Sequence, residues 1–329
     1  MSIEPPPGQW QNMRMTRPVA PAGLTQTIVP ERAGLGVAIE GRAAPLRENE
    51  TDQSLPALNS FTGETRFIDI FNTGRATASW NAKVSHDWIK LSNVRGNLSH
   101  DARIRVAIDW NKAPHEENVS GTVEITGAGS RRIVKVPIFN PKLPVVPLRP
   151  DFVEVNGVVS IEAEHFSNQI DRGGLGWRII ADLGRTGDSV AIFPTTSASI
   201  DPPRIVPDAP ALEYSLQIFS VGKYSITCYV VPTHPIQAGR ALRYAIGFDN
   251  QPPQVVTVGA DLLVPSRQWS LNVLNASATT TSIHEITAAG PHVLKLYMID
   301  PGIVVDKIVL DSGGLRPSYL GPPETRRRF

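Results

Sequence analysis

The sequence predicts an all-β protein made of two sandwiches, an immunoglobulin-like β-sandwich followed by a jelly-roll β-sandwich. Short runs of alternating apolar and polar residues recur along the chain, and Gly, Pro, Asn and Asp close them. No segment keeps an apolar face at helical spacing for three turns. A proline-rich stretch, NPKLPVVPLRP, separates two blocks of strand-like sequence. We therefore expect one sandwich on each side of it.

The first block, residues 31–140, is rich in Val, Ile and Thr in runs of strand length. The runs are LGVAIEG, TRFIDIFN, ATASWNAKVS, RIRVAIDW, GTVEITG and RRIVKVPIF. About seven strands in about a hundred residues is the size of an immunoglobulin-like sandwich. Trp80, Trp88 and Trp110 fall on strands of this block, so we expect them in the core.

Residues 141–150 are predicted to be a linker, because prolines at 141, 144, 147 and 150 cannot continue a sheet and favour an extended spacer. The ends of the chain, residues 1–30 and 319–329, are polar and rich in proline. We expect both ends to lie along other surfaces as extended segments.

The second block, residues 151–318, also consists of short alternating runs of strand length. Its runs are VSIEAEHF, SVAIFP, LEYSLQIF, KYSITCYVV, LRYAIGFD, QVVTVG, HEITAAG, HVLKLYMID and IVVDKIVLD. Eight or nine strands over about 165 residues is the size of a jelly roll. The single cysteine, Cys228, alternates with Ile226 and Val230 and is predicted to be a small buried residue.

Composition and motifs argue against several functions. The net charge of +1, without a basic stripe, argues against nucleic acid as a partner, and no apolar run reaches the roughly 18 residues of a membrane span. The sequence lacks zinc-type Cys/His spacing, GxxxxGK[ST] and GxSxG. The glycine-rich GGLGW and GRTG lie between strands and are typical of turns.

Alternation in VSIEAEHF places Glu162 and Glu164 on one strand face, which suggests a solvated surface, a catalytic pair or cation ligands. Two carboxylates side by side on one strand cannot flank a glycosidic bond from opposite sides. A hard cation such as calcium accepts carboxylates and loop carbonyls. Asp306, on the face of Ile308 and Leu310, would join them if the first and last strands pair. A solvated face with a salt-bridged Asp306 remains the alternative.

Exposed aromatic rings bind sugars by stacking, and arginine pairs with uronates. In the second block Trp177 and Trp269 lie in or near loops, and Arg185 lies in GRTG. These three residues are candidates for carbohydrate binding. Core packing and support of turns are the alternative roles.

Several motifs also occur in a familiar order. They are GQWQNM, LGVAIEG, LPALNSFTGETRFIDIFNTG, SHDWIKLS with RVAIDW, VSIEAEHF, GWRIIADLGRTGDSVAIFP, VDKIVLD and LRPSYLGPPE. From about Gly8 to Glu324 the chain resembles the C-terminal region of glycoside hydrolase family 115, the xylan α-1,2-glucuronidases. In that family the catalytic residues lie on an upstream α/β barrel, and this chain has no barrel pattern. No catalytic residue is therefore assigned.

The resemblance implies a non-catalytic part of an extracellular enzyme, with residues 1–30 left from the upstream domain. Its partners would be the catalytic barrel, glucuronoxylan and a second copy in a homodimer. The EAE…D pattern also resembles that of carbohydrate-binding modules with a structural calcium, which implies Glu162, Glu164 and Asp306 as ligands. A stand-alone pair of carbohydrate-binding modules is the alternative function.

Overall fold

The computed structural model describes residues 28–48, 50, 53–99, 101–142, 150–236, 241–258 and 266–327. Regular structure in these residues is mostly β, which confirms the predicted class. The helices described are a 3₁₀ turn, Pro202–Arg204, and the α-helices α1 (Ile205–Asp208) and α2 (Arg267–Leu274). The sequence analysis did not predict α2, which begins where the Ser266 side chain accepts a hydrogen bond from the Trp269 N–H. None of these helices is long and apolar enough to cross a membrane.

The strands up to residue 139 form two sheets, in the orders β1-β3-β7-β5 and β2-β9-β8-β4-β6. The strands are β1 (Leu35–Ile39), β2 (Leu58–Asn59), β3 (Arg66–Asn72), β4 (Ser79–Val84), β5 (Ile89–Leu91), β6 (Arg95–Asn97), β7 (Ala102–Ile108), β8 (Val119–Gly127) and β9 (Ser130–Phe139). Alternate residues are buried, as in β8, where Val123 and Ile125 have no exposed surface. Trp80 and Trp88 are buried as predicted, whereas Trp110 lies beyond the end of β7 and is half-buried.

The later strands form two further sheets. The strands are β10 (Phe152–Val153), β11 (Val158–Glu162), β12 (Asn168–Ile170), β13 (Gly176–Ile180), β14 (Ser189–Phe193), β15 (Ala211–Ile218), β16 (Gly222–Val230), β17 (Leu242–Phe248), β18 (Gln254–Val258), β19 (Ala278–Ile286), β20 (Gly290–Met298) and β21 (Val304–Asp311). One sheet has the order β10-β15-β20-β17-β18, with β12 beside β15. The other has the order β13-β14-β21-β16-β19, with β11 beside β21. Their facing side chains, including Cys228, form one apolar core.

The described residues divide into two compact units. One lies within residues 28–55, 66–107 and 121–135, and the other within residues 56–65, 108–120 and 136–327. Three stretches of the predicted first sandwich therefore group with the second. Within that unit the Phe219 ring lies 5.9 Å from the Phe61 ring and 4.8 Å from the Phe139 ring, centroid to centroid. Residues 1–27 of the predicted N-terminal segment and residues 143–149 of the predicted linker lie outside the described residues.

Candidate functional site

The carboxylates singled out in the sequence lie where β11 and β21 pair. The two strands are antiparallel, with Ile161 opposite Ile308 and Glu162 opposite Lys307. One residue further on, the Ala163 N–H donates to the Asp306 carbonyl oxygen at 2.9 Å. The predicted pairing is present, but β11 ends at Glu162, and Ala163 and Glu164 form a turn. Glu164 is therefore a turn residue and does not share a strand face with Glu162.

Asp306 is the extra residue of a β-bulge. On the neighbouring strand β16, Tyr229 pairs with Lys307 and the next residue, Val230, pairs with Val305, so Asp306 has no partner there. A bulge turns one side chain out of the regular alternation. The core contains Val305 as well as Ile308 and Leu310, so the inward face shifts by one residue across Asp306. The alternation predicted from the sequence, with Asp306 on the face of Ile308 and Leu310, does not hold at this position.

Glu162 is engaged by neighbouring donors. Its Oε1 lies 2.9 Å from Lys307 Nζ, and Thr186 Oγ1 lies 3.1 Å from Oε1 and 2.9 Å from Oε2, so that its one proton serves Oε2 best. Both oxygens thus have donors, and Lys307 balances the charge. Of the three predicted ligands, Glu162 therefore has the most contacts with donors in the described residues, and each of its oxygens keeps further lone pairs.

Glu164 and Asp306 differ from Glu162 in having one unpaired oxygen each. Glu164 Oε1 accepts from the Asp188 N–H at 3.0 Å, and Asp306 Oδ2 accepts from the Arg185 N–H at 3.2 Å. The other oxygens, Glu164 Oε2 and Asp306 Oδ1, are buried without a hydrogen-bond partner in the described residues. Buried oxygens without donors are costly unless something else neutralises them.

The electrostatics of the two carboxyls agree with this geometry. Burial raises the pKa of Asp306 to about 6, and the nearby charges of Glu162 and Glu164 add to the rise, against the Arg185 N–H and Lys307. Burial also raises the pKa of Glu164, against the hydrogen bond from Asp188. For both carboxyls, burial thus outweighs the neighbouring groups that would favour the ionised form.

The loop between β13 and β14 packs closely on these carboxylates. It can do so because the two residues that touch them are glycines, which have no side chain. Gly184 and Gly187 have φ angles of 142° and 60°. A Cβ on Gly184 would overlap Asp306 Oδ1, and a Cβ on Gly187 would overlap Glu164 Oε1. The GRTG segment, predicted to be a turn, is thus a turn that packs on the carboxylates.

This arrangement fits a hard cation held by two carboxylates. Calcium is bound by carboxylate and carbonyl oxygens in flexible geometry, and Glu164 Oε2 and Asp306 Oδ1 are oxygens of this kind without donors. Among the described residues, no group of three or more His, Cys, Asp or Glu side chains is placed to hold a metal ion. The remaining ligands would have to come from backbone carbonyls and water.

The C-terminal tail lies along an edge of β11. Ser160 N–H donates to Thr325 Oγ1 at 3.1 Å, and Thr325 N–H donates to the Ser160 carbonyl at 2.9 Å. Glu324 Oε1 accepts from the Glu162 N–H at 3.3 Å and lies 2.7 Å from His165 Nδ1. The tail thus pairs with an edge of β11, a contact that the expectation of a solvated strand face did not include. The alternation could not show that a segment more than 150 residues later pairs with this strand.

Comparison with known proteins identifies the family. The family model described as "Glycosyl hydrolase family 115 C-terminal domain" matches residues 151–324, more than half of the chain. The chain belongs to this family. The matched segment contains β11, the glycine loop, β21 and the tail up to Glu324, so all of the elements around the carboxylates lie within the family 115 domain.

Solved structures resemble the chain at low identity. The family 115 4-O-methyl-α-glucuronidase BtGH115A, with specificity for decorated arabinogalactans, is 19% identical with a TM-score of 0.37 over 53% of this chain and 19% of that one. The C-terminal family 6 module of the Zobellia galactanivorans laminarinase LamC is 15% identical, with a TM-score of 0.32 over 47% of this chain and 99% of that one. A family 35 carbohydrate-binding module from Clostridium thermocellum is 11% identical, with a TM-score of 0.29 over 46% and 96%. No curated protein matches the chain.

The three residues predicted to bind carbohydrate have separate partners in this family 115 chain. Trp177, on β13, is 1% exposed and its indole N–H donates to the Pro210 carbonyl at 3.3 Å, so the ring belongs to the core and has no face for a sugar. Trp269, on α2, packs partly against the core, and its ring stacks on His234 at 4.4 Å. Arg185 lies over the Tyr319 ring at 4.3 Å and donates to the Tyr319 carbonyl. These contacts do not unite the three residues in one sugar site.

The sequence analysis missed the residues that surround the carboxylates. Lys307 and Thr186 neutralise and orient Glu162, and Glu324 joins the tail to β11. The spacing of the two glycines in GRTGD was the available signal, because a turn with two positive φ angles allows the backbone to approach another group closely.

Proposed function

We propose that this chain is the non-catalytic C-terminal portion of a xylan α-1,2-glucuronidase and supports the catalytic barrel of that enzyme. The match of residues 151–324 to the family 115 C-terminal domain carries this proposal. As parts of the same proposal, the parent enzyme is extracellular, forms a homodimer and acts on glucuronoxylan.

The chemistry of the carboxylate site supports a structural role. Glycoside hydrolysis uses an acid and a base or nucleophile on either side of the scissile bond. Here Glu162 is paired with Lys307, and Glu164 and Asp306 lie under a glycine loop that contacts both of them. Such carboxylates have little access to a polysaccharide.

As part of the proposal, Glu164 and Asp306 hold a calcium ion. The ion would supply positive charge to two buried oxygens that have no donors in the described residues. The Arg185 and Asp188 N–H groups orient the two carboxylates by binding their other oxygens. The site would then fix the glycine loop against the β11–β21 pair.

The alternative function, a stand-alone pair of carbohydrate-binding modules, makes a different prediction about association. A supporting portion should bind its catalytic barrel stably, whereas independent modules should bind glycan and need no such association. Burial of Trp177 removes one of the rings that would favour the alternative.

The experiment compares the purified chain with the same chain co-expressed with a family 115 catalytic barrel. The chain alone should release no glucuronic acid from glucuronoxylan oligosaccharides above a heat-killed control. With the barrel it should co-purify and raise the melting temperature of the barrel. Release of glucuronic acid by the chain alone, or absence of any association with the barrel, would contradict the proposed function.

A further inference from the structure

A second feature of the jelly-roll sheets is a groove between their edge strands. In the described part of the chain, β18 ends one sheet and β19 ends the other. Residues 254–257 of β18 and 279–283 of β19 line a groove of about 610 Å³. This volume is within the usual range for sites that bind small ligands. Five strand residues extend over about 13 Å, so the groove suits an elongated ligand.

The lining is neutral and rich in hydroxyl groups. Among the described residues, the nine that line the groove include no charged and no aromatic side chain; six of them are polar, namely Gln254, Thr257, Thr279, Thr280, Thr281 and Ser282. A hydroxyl can donate once and accept twice, and an amide can do both. A charged ligand would lose water without gaining a counter-charge here. The lining therefore favours a neutral ligand with many hydroxyl groups.

Contacts with side chains of β16, β17 and β19 itself, on both faces of β19, hold several polar groups of the groove in place. Thr280 Oγ1 lies 2.6 Å from the Tyr244 hydroxyl, Thr281 Oγ1 lies 3.1 Å from Thr227 Oγ1, and Ser282 Oγ lies 3.0 Å from His284 Nε2. Each of these hydroxyls still has hydrogen-bonding capacity after that contact. Burial lowers the pKa of His284, the partner of Ser282, which favours the neutral imidazole there.

An extended peptide is the other kind of ligand that an open edge strand accepts, by adding a strand to the sheet. That mode needs the backbone carbonyls of β19. Gln254 Nε2 already donates to the Ile283 carbonyl at 2.7 Å, and Gln251 Nε2 donates to the Glu285 carbonyl at 3.3 Å. Side chains thus occupy two of the carbonyls that an added strand would use.

We propose that the groove between β18 and β19 binds an uncharged stretch of a polysaccharide chain through hydroxyl and amide hydrogen bonds. The inference rests on the proposed function, because it takes the ligand to be a glycan. It goes further by stating which part of the glycan the groove recognises. The groove would bind unsubstituted backbone residues, and the acidic branches would lie outside it.

The test is calorimetric titration of the full chain with two probes, neutral xylohexaose and a xylo-oligosaccharide that carries one glucuronic acid. Thr281→Lys places a charge in the groove at an exposed strand position. Val221→Lys adds the same charge at an exposed position outside the groove. We expect the wild type to bind xylohexaose, Thr281→Lys to bind it about tenfold more weakly, and Val221→Lys to bind it as the wild type does.

Equal weakening by both lysine variants, or no binding of xylohexaose, would overturn the inference. If the wild type binds the acidic probe and Thr281→Lys binds it equally well, the glycan binds outside the groove. That result would overturn the assignment of the groove but leave the proposed function intact. Binding of an extended peptide in competition with xylohexaose would also overturn the assignment. Thermal melting of each variant checks that it is folded.

Discussion

Lys307 and Glu162 form an ion pair across β21 and β11, with Nζ and Oε1 2.9 Å apart and side chains 3% and 12% exposed. The Leu320 and Pro322 carbonyls of the tail each lie 3.4 Å from the same Nζ. The pair thus joins the first long strand of the second block, the last strand and the tail. A buried ion pair costs most when one partner is removed, because the other charge is left alone.

Lys307→Met should therefore lower the free energy of unfolding by about 3 kcal/mol, since it leaves the Glu162 carboxylate without its counter-charge. Adding Glu162→Gln should restore most of the loss, because the remaining amide is neutral. Urea denaturation of the two single variants and the double variant measures the coupling. Additive losses in the double variant would show that the two residues act independently.

The raised pKa of Asp306 predicts how stability depends on pH without a cation. A folded-state pKa of about 6, against an ordinary value of 3.8, means that Asp306 contributes most below pH 4 and loses that contribution as pH rises through 6. This difference between the folded and ordinary pKa values corresponds to a change in the free energy of unfolding on the order of 3 kcal/mol. In EDTA, the wild type should lose stability relative to Asp306→Asn between pH 4 and pH 7. A difference that does not vary with pH would contradict the assigned burial.

The two glycines of the loop allow a matched test of its close approach to the carboxylates. Gly187→Ala should destabilise the fold by about 1 kcal/mol more than Gly173→Ala, because the Glu164 carboxylate must shift away from the Asp188 N–H to make room for the new methyl group. Both glycines have φ near 60°, but a Cβ on Gly173 would meet no atom within 4 Å, whereas a Cβ on Gly187 would overlap Glu164 Oε1. Chemical denaturation measures both. Equal losses would mean that only backbone strain matters at these positions.

Arg185 links the glycine loop to the tail, because its N–H binds Asp306 and its guanidinium contacts Tyr319. Arg185→Gln should raise the opening equilibrium of the tail after residue 318 about threefold. This is the effect expected from the loss of one exposed cation–π contact. Limited proteolysis followed by mass spectrometry measures the rate of tail cleavage. Arg178→Gln, which removes an exposed arginine on β13 paired with Asp171, is the control and should leave the rate unchanged.

The strands could be predicted from the sequence wherever one face is buried. In β16, Tyr224, Ile226, Cys228 and Val230 are buried at every second position, and the alternation was visible. The pairing of β11 with β21, which brings Glu164 and Asp306 together, was also predicted. These features depend on local pattern and on a common topology.

The rest depends on contacts between distant residues. The bulge at Asp306 is defined against β16, and the contact along the edge of β11 comes from the tail, so neither has a signal in its own segment. The sequence places Trp177 in or near a loop, whereas the strand β13 begins inside GGLGW and carries this residue. Local pattern does not show which surfaces of a strand are later covered.

The central claim is that Glu164 and Asp306 hold a cation between the glycine loop and β21. Thermal melting of the chain in calcium and in EDTA tests it most directly, with Asp306→Asn and Glu164→Gln as variants. A cation at a hundred times its dissociation constant stabilises the folded state by about 2.7 kcal/mol. The account predicts that calcium raises the melting temperature of the wild type and of neither variant. An identical wild-type melting temperature in millimolar calcium and in EDTA would contradict it.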